Sequence, residues 1–170
     1  MIKLIIEKIT RILKNKKKLE EELNIKITNR GKEVFIEGEA ESEFIAEKII
    51  SALDFGFPFS DALELKNTDN ILEIINIKDH TKRKDLSRIR SRIIGAKGKT
   101  LKTLSELTNC AIELKDNFIG IIGDAEFIEP TNNAIISLIK GSKQGNVYAY
   151  LEKHRPKEPI DLGLRKRNDK

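Results

Sequence analysis

Apolar positions along the chain change period in an order that occurs twice. The apolar run at residues 2–6 predicts a strand. Ile9, Ile12 and Leu13 then mark a short helix, and Leu19 and Leu23 mark a second one. Residues 24–28 and 34–38 read as two strands around an Arg30-Gly31 turn, and residues 44–53 return to helical spacing. The second pass begins with a strand at 72–77. Leu86, Ile89 and Ile93 follow at helical spacing, and Leu101, Leu104 and Leu107 stripe another helix. Residues 109–113 and 119–123 form a second hairpin around Asp116-Asn117, and residues 128–139 form its closing helix. Pro130 predicts that this helix starts late, near Glu129, or is kinked. Val147, Tyr148 and Leu151 predict one further helix.

Each unit thus reads strand, helix, loop, helix, strand, strand, helix. The two hairpins align at an offset of roughly 85 residues, and the helix tails Ile49-Ile50-Ser51 and Ile135-Ile136-Ser137 match as well. The expected fold class is α+β, with two tandem units of a three-stranded sheet backed by three helices, packed as one body. The expected division is a first unit at 1–55, an apolar connector at 56–70, a second unit at 71–141, a C-terminal helix at 142–156 and a basic, disordered tail at 157–170. The segment from Phe55 into the connector, with Phe57 and Phe59, is too apolar for a free linker, so it is expected to pack the units together.

The chemistry concentrates between the first two helices of the second unit, in Ile93-Ile94-Gly95-Ala96-Lys97-Gly98. Two glycines three apart, between two helices, make a turn that a sugar-phosphate backbone can approach closely, because no Cβ stands in the way. The free N–H groups of the following helix, which begins at about Lys99-Thr100, point into that turn. Gly120-Ile121-Ile122-Gly123 has the same glycine spacing, but its apolar setting reads as a strand. Context separates the two. From Lys82 to Lys102 there are nine lysines and arginines against the single acid Asp85. Lys84, Arg88 and Arg92 recur every fourth residue and form a basic face leading to the turn, opposite Leu86, Ile89 and Ile93. Lys97, Lys99 and Lys102 continue the charge beyond it, and Ile94 and Ile112 are candidates for the apolar floor of a groove. The first unit has Lys14-Asn15-Lys16-Lys17-Lys18 where this turn is expected, with no glycine, and then Glu20-Glu21-Glu22. It reads as a degenerate copy.

Charge follows the same division. The chain of 170 residues has net charge +5, but residues 1–70 carry 12 basic and 14 acidic residues and residues 71–170 carry 20 and 13. The second half therefore suits a polyanionic partner. No apolar run is long enough to span a membrane, and no signal-peptide pattern opens the chain. The lone Cys110 fits a reducing, cytoplasmic setting, and one cysteine with two distant histidines is too few for a structural zinc site, so no metal or other cofactor is expected. A monomer is expected.

Helix, glycine turn and helix in this setting have the pattern of a KH domain. The chain resembles the archaeal two-KH ribosome-assembly proteins, relatives of the eukaryotic "partner of Nob" pre-ribosomal RNA processing protein. The resemblance is carried by the segment from Arg92 to Thr100, by Gly120-Ile121-Ile122-Gly123-Asp124, by Gly56-Phe57 with Ala62-Leu63, by Leu72-Glu73-Ile74-Ile75, and by Gly145-Asn146-Val147-Tyr148 with Leu151-Glu152. It implies two type I KH units and binding of single-stranded RNA near the 3′ end of small-subunit ribosomal RNA. It also implies contact with the Nob endonuclease and with the alpha subunit of translation initiation factor two.

Three rival readings are weaker. Gly98-Lys99-Thr100 resembles the end of a phosphate-binding loop, but that motif needs glycine at position 93, which is Ile93, and a preceding strand rather than a helix. No nucleophile–base set is apparent, so no enzyme is expected. A general KH protein of messenger RNA regulation or decay shares the glycine motif but not the connector and last helix. In an interaction scaffold the first unit supplies a surface and RNA binding is incidental, which pull-down with and without nuclease treatment would separate.

Overall fold

The computed structural model describes residues 1–155. The first unit runs β1 (Ile2–Ile5), α1 (Ile9–Leu23), β2 (Lys26–Arg30), β3 (Glu33–Glu37) and α2 (Ala40–Phe55). A short helix α3 (Phe59–Leu63) and a 3₁₀ turn (Glu64–Lys66) lead to the second unit. That unit runs β4 (Asn70–Asn76), a 3₁₀ turn (Ile77–His80), α4 (Leu86–Ile94), α5 (Lys99–Thr108), β5 (Ala111–Lys115), β6 (Phe118–Asp124), α6 (Ala125–Lys140) and α7 (Gln144–Lys153). The sheets are antiparallel with the same order, β1-β3-β2 and β4-β6-β5. The expected tail at 157–170 lies outside the described residues.

The repeat holds at a constant offset of 85 from α5 onward. Asn24 and Asn109, which end α1 and α5, both adopt left-handed backbone at φ 51° and 54°. The hairpin turns place Gly31 and Asp116 at φ 59° and 52°. The closing helices start at Ala40 and Ala125 and end before Gly56 and Gly141, both at positive φ. An added Cβ on Gly38 or Gly123 would crowd the equivalent residues Ile25 and Cys110. The helix tails therefore align one residue away from the Ile49–Ile135 match read from the sequence: Ile49 pairs with Ala134 and Ile50 with Ile135, all fully or nearly fully buried.

The first unit differs from the expectation of two helices around a loop, because α1 is continuous. The run Lys14–Lys18 interrupts the apolar pattern without interrupting the helix: lysine is a good helix former, and Ile12, Leu19 and Leu23 stay on one buried stripe. At the 85-residue offset α5 corresponds to residues 14–23. The glycine turn then corresponds to Thr10-Arg11-Ile12-Leu13, inside the first turns of α1, and α4 has no counterpart. The lysine run is thus not the equivalent of the turn. Ile12 is fully buried, and the Arg11 guanidinium donates to the Leu53 carbonyl at 3.3 Å.

Helix α6 begins at Ala125, not near Glu129, with the Asp124 carboxylate accepting from the Glu126 N–H at 2.9 Å. Pro130 stands in its second turn, next to Thr131, whose hydroxyl donates to the Phe127 carbonyl.

The strand β6 is buried on both faces from Ile119 to Gly123. Ile119 and Ile121 enter the core of their own unit, whereas Ile122 joins the core of the first unit, as do Leu72 and Ala111 from the strands beside it. Gly120 belongs to this second face. An added Cβ there would lie 2.8 Å from ring atoms of both Phe55 and Phe57, which stack at 5.7 Å between centroids. Phe57 is fully buried and Phe59 partly buried, so the connector packs the units together. Lys115 adds an ion pair with Glu7 at 2.9 Å across the junction.

Candidate nucleic-acid interface

The glycine turn is built from three left-handed residues whose constraints differ. The N–H of Gly95 donates to the Ser91 carbonyl at 2.8 Å and ends α4. Its φ of 75° with ψ of 176° is a region that glycine alone occupies readily. An added Cβ would stand 2.8 Å from the Thr100 backbone nitrogen and would overlap the Thr100 side chain. The Gly98 N–H closes the turn onto the Gly95 carbonyl at 3.2 Å, and φ is again 75°. Nothing lies within 4 Å of a Cβ added at Gly98, so this glycine faces open space. Between them Lys97 adopts φ 53°. Among the described residues the other non-glycine positions with positive φ are Asn24, Asn109 and Asp116, types that tolerate it; Lys97 is held there at a cost of about 1 kcal/mol.

Behind the turn, Thr100 is buried and its hydroxyl accepts from the Gln144 amide at 3.1 Å; the same amide nitrogen reaches the Arg92 carbonyl at 3.4 Å. Helix α7 thereby braces the turn from the side opposite solvent. In front, Lys97, Lys99 and Lys102 are exposed, and the first turn of α5 contains no acid. Its free N–H groups and the helix dipole favour an anion at the turn.

From Gly98 a groove of about 780 Å³ runs along α5, past Leu101, Lys102 and Ser105, to Ala111, Ile112 and Glu113 of β5. Strand β5 is at the edge of its sheet, so one side of its backbone keeps free N–H and C=O groups. Ile112 is 6% exposed and belongs to the core as much as to the groove floor. The far end is acidic, with Asp61, Glu64, Glu106, Glu113 and Asp124. Burial there, and next the charge of Asp61, push the Glu113 carboxyl above its ordinary range, against the opposing pull of Arg11 and Lys8. The charge along the groove thus runs from basic at the glycine end to acidic at the unit junction.

The remaining sequence candidates fall elsewhere. Ile93 is fully buried and holds α4 on its own core, so it is not available to a ligand; Ile94 is half-buried beside the turn, and Ala96 is exposed on it. Lys84 precedes α4, which starts at Leu86 under the Asp85 cap (Arg88 N–H to Asp85 Oδ1, 3.2 Å). Lys84, Arg88 and Arg92 face α6 rather than the groove. The Arg92 guanidinium donates to the Leu138 carbonyl at 3.3 Å and to the Ser142 carbonyl, so it caps the end of α6. The opposite side of α4 carries Arg90, which reaches the Asp116 carbonyl at 3.4 Å and the Asn117 side chain at 3.3 Å in the β5–β6 turn. Sequence reasoning missed Arg90 and Gln144. Arg90 is legible in retrospect, four residues before Ile94 and thus on its side of the helix.

Residues 71–156 match the family model of the eukaryotic type KH domain, KH type I. The chain belongs to this family. The KH domain here is of the PNO1 type, as its relatives bear out. A KH domain-containing protein of Methanocaldococcus jannaschii is 29% identical over 66% of this chain and 50% of its own length. The pre-rRNA-processing protein PNO1 of Eremothecium gossypii is 38% identical over 60% of this chain and 39% of its own. The chain thus spans half or less of the length of these curated relatives. Among solved structures, Dim2p of Pyrococcus horikoshii is similar with a TM-score of 0.82 at 32% identity, covering 89% of this chain and 98% of that one. The structure of the a/eIF2alpha–aDim2p–rRNA complex from the same organism contains a chain similar at a TM-score of 0.79 and 32% identity, with 89% and 92% covered.

Proposed function

We propose that the protein binds single-stranded RNA during assembly of the small ribosomal subunit, near the 3′ end of small-subunit rRNA. The observation that carries this reading is the Gly95–Gly98 turn: open at Gly98, flanked by Lys97, Lys99 and Lys102, and aimed by the start of α5. The pre-rRNA-processing relatives and the rRNA-bound neighbour support the choice of RNA. In this reading the backbone of a strand of about four nucleotides crosses the turn, and its phosphates meet the α5 N–H groups and the three lysines. The bases lie along the groove, pack on Leu101, and exchange hydrogen bonds with the free edge of β5. Few phosphates are neutralised, so log K should fall with log salt at a slope of about −2 to −3.

The first unit is, in this reading, a KH unit that has lost α4 and the glycine turn and retains a structural or protein-binding role. The Nob endonuclease and the alpha subunit of initiation factor two are proposed partners; for the second, the neighbouring complex supports the idea. The test is crosslinking of the protein to RNA in cells and mapping of the sites. Enrichment at the 3′ end of small-subunit rRNA is expected. Enrichment on messenger RNA, with none on rRNA, would refute the assignment to assembly.

A further inference from the structure

A second concavity of about 640 Å³ lies between α4 and α6, separate in its lining from the groove. Its charged walls are Arg83, Lys84, Arg88 and Arg92, with one acid, Asp85. That carboxylate is already bonded to the Arg88 N–H. Among the described residues none of the four cations has an acid partner within 4 Å. Capping of α6 accounts for Arg92 alone. The side chains of Arg83, Lys84 and Arg88 make no hydrogen bond among the described residues, so no contact there accounts for their gathering. Like charges gathered around one hollow repel one another, and a bound anion relieves that cost.

The hollow is shaped for such a ligand. Gly141 turns the chain at φ 104° beneath two guanidinium groups; an added Cβ would be 3.7 Å from Arg92 Nη1 and 3.8 Å from Arg83 Nη2. The floor is formed by the buried side chains of Ile89, Leu138 and Ile139; the Leu138 carbonyl is taken by Arg92, and the exposed Arg83, Lys84 and Arg88 stand around the opening. Arginine forks suit phosphate oxygens. Arg88 precedes Gly95 by seven residues, about 10 Å along α4, a gap that a single strand covers in a few nucleotides.

We propose that this hollow binds phosphates of the same RNA strand outside the nucleotides held in the groove, so that the strand continues around α4 and the footprint exceeds the groove. This rests on the RNA-binding reading above. The groove supplies base contacts, whereas the hollow supplies affinity that grows with RNA length and does not depend on sequence.

The test uses the full chain and single-stranded RNAs of one rRNA 3′-end series, lengthened on either side from five to fifteen nucleotides, titrated across salt. The variant is Arg83→Ala/Arg88→Ala, which leaves the Arg92 cap in place; unchanged thermal unfolding checks its fold. The wild-type protein should gain affinity and salt dependence as the RNA lengthens. The variant should bind five nucleotides as the wild type does and fifteen about tenfold more weakly, with a log–log slope flatter by about 1.4 for two lost phosphate contacts. Arg88→Glu should deepen the loss on the long RNA. Equal binding of the long RNA by variant and wild type would overturn the proposal, as would equal losses on short and long RNA. Inorganic phosphate that competes at the hollow without any length effect would mark a small-anion site and overturn it too. Failure of the wild type to bind five nucleotides would count instead against the groove.

Discussion

The side chain of Thr100 occupies the space that a Cβ on Gly95 would need. The added atom would sit 2.8 Å from the Thr100 nitrogen and nearer still to its side chain, while the same addition at Gly98 meets nothing. The two glycines of the turn are therefore not equivalent: one permits packing within the protein, and the other leaves room for a partner outside it.

Substitution separates these roles. Gly95→Ala should lower unfolding stability by about 2 kcal/mol or more, because a glycine-only backbone and a clash with Thr100 coincide. Gly98→Ala should cost about 1 kcal/mol, from the left-handed backbone alone, and Gly98→Asn less. Both alanine variants should weaken RNA binding, but only Gly95→Ala should also lower the unfolding midpoint markedly. Denaturant titration beside RNA binding resolves the two.

The junction between the units makes a second prediction. Phe57→Ala removes a fully buried ring that lies against Gly120 and should cost about 3–5 kcal/mol. Gly120→Val places carbon within 2.8 Å of the two phenylalanine rings and should cost about 1–3 kcal/mol by overpacking. Each is read in urea unfolding. Two separate transitions in Phe57→Ala, against one in the wild type, would locate the loss at the junction.

Glu113 gives a pH signature. Its carboxyl titrates above the ordinary value in the folded state, chiefly by burial and then through Asp61. The folded state thus holds its proton to higher pH than the unfolded chain does, and stability falls as pH rises through the folded-state value. Glu113→Gln removes that loss. The variant should be as stable as the wild type below the usual carboxylate range and more stable near neutral pH, by thermal unfolding across pH. A variant less stable than the wild type at neutral pH would show that Glu113 is held by its cationic neighbours Arg11 and Lys8 instead.

Much of this architecture is legible in local residues. Asn24 and Asn109, Gly31 and Asp116, and Gly56 and Gly141 are turn formers at matching places, and each adopts the positive φ that its chemistry suits. The glycine turn is legible for the same reason. What escaped depends on tertiary neighbours. The run Lys14–Lys18 looks like a loop because nothing apolar marks it, yet Ile12, Leu19 and Leu23 are held by one core and carry the helix across. The side of α4 that meets α6 is fixed by Leu138 and Ser142, 46 and 50 residues from Arg92, and no spacing within α4 reveals it. Gln144 acts on Thr100 and Arg92 from 44 and 52 residues away and has no local signature.

RNA is expected to be gripped by the turn of the second unit and not by the first. The direct measurement is binding of a single-stranded rRNA 3′-end oligomer by Ala96→Asp/Lys97→Asp, beside Asn15→Asp/Lys16→Asp on α1 of the first unit. Carboxylates at 96 and 97 stand on the exposed surface of the turn, where phosphate would approach, so affinity should fall tenfold or more, about 1.4 kcal/mol. The first-unit pair should change it by less than about threefold, since α1 is continuous there and offers no turn. Equal losses from the two pairs, or no loss from the acids at 96 and 97, would contradict the account.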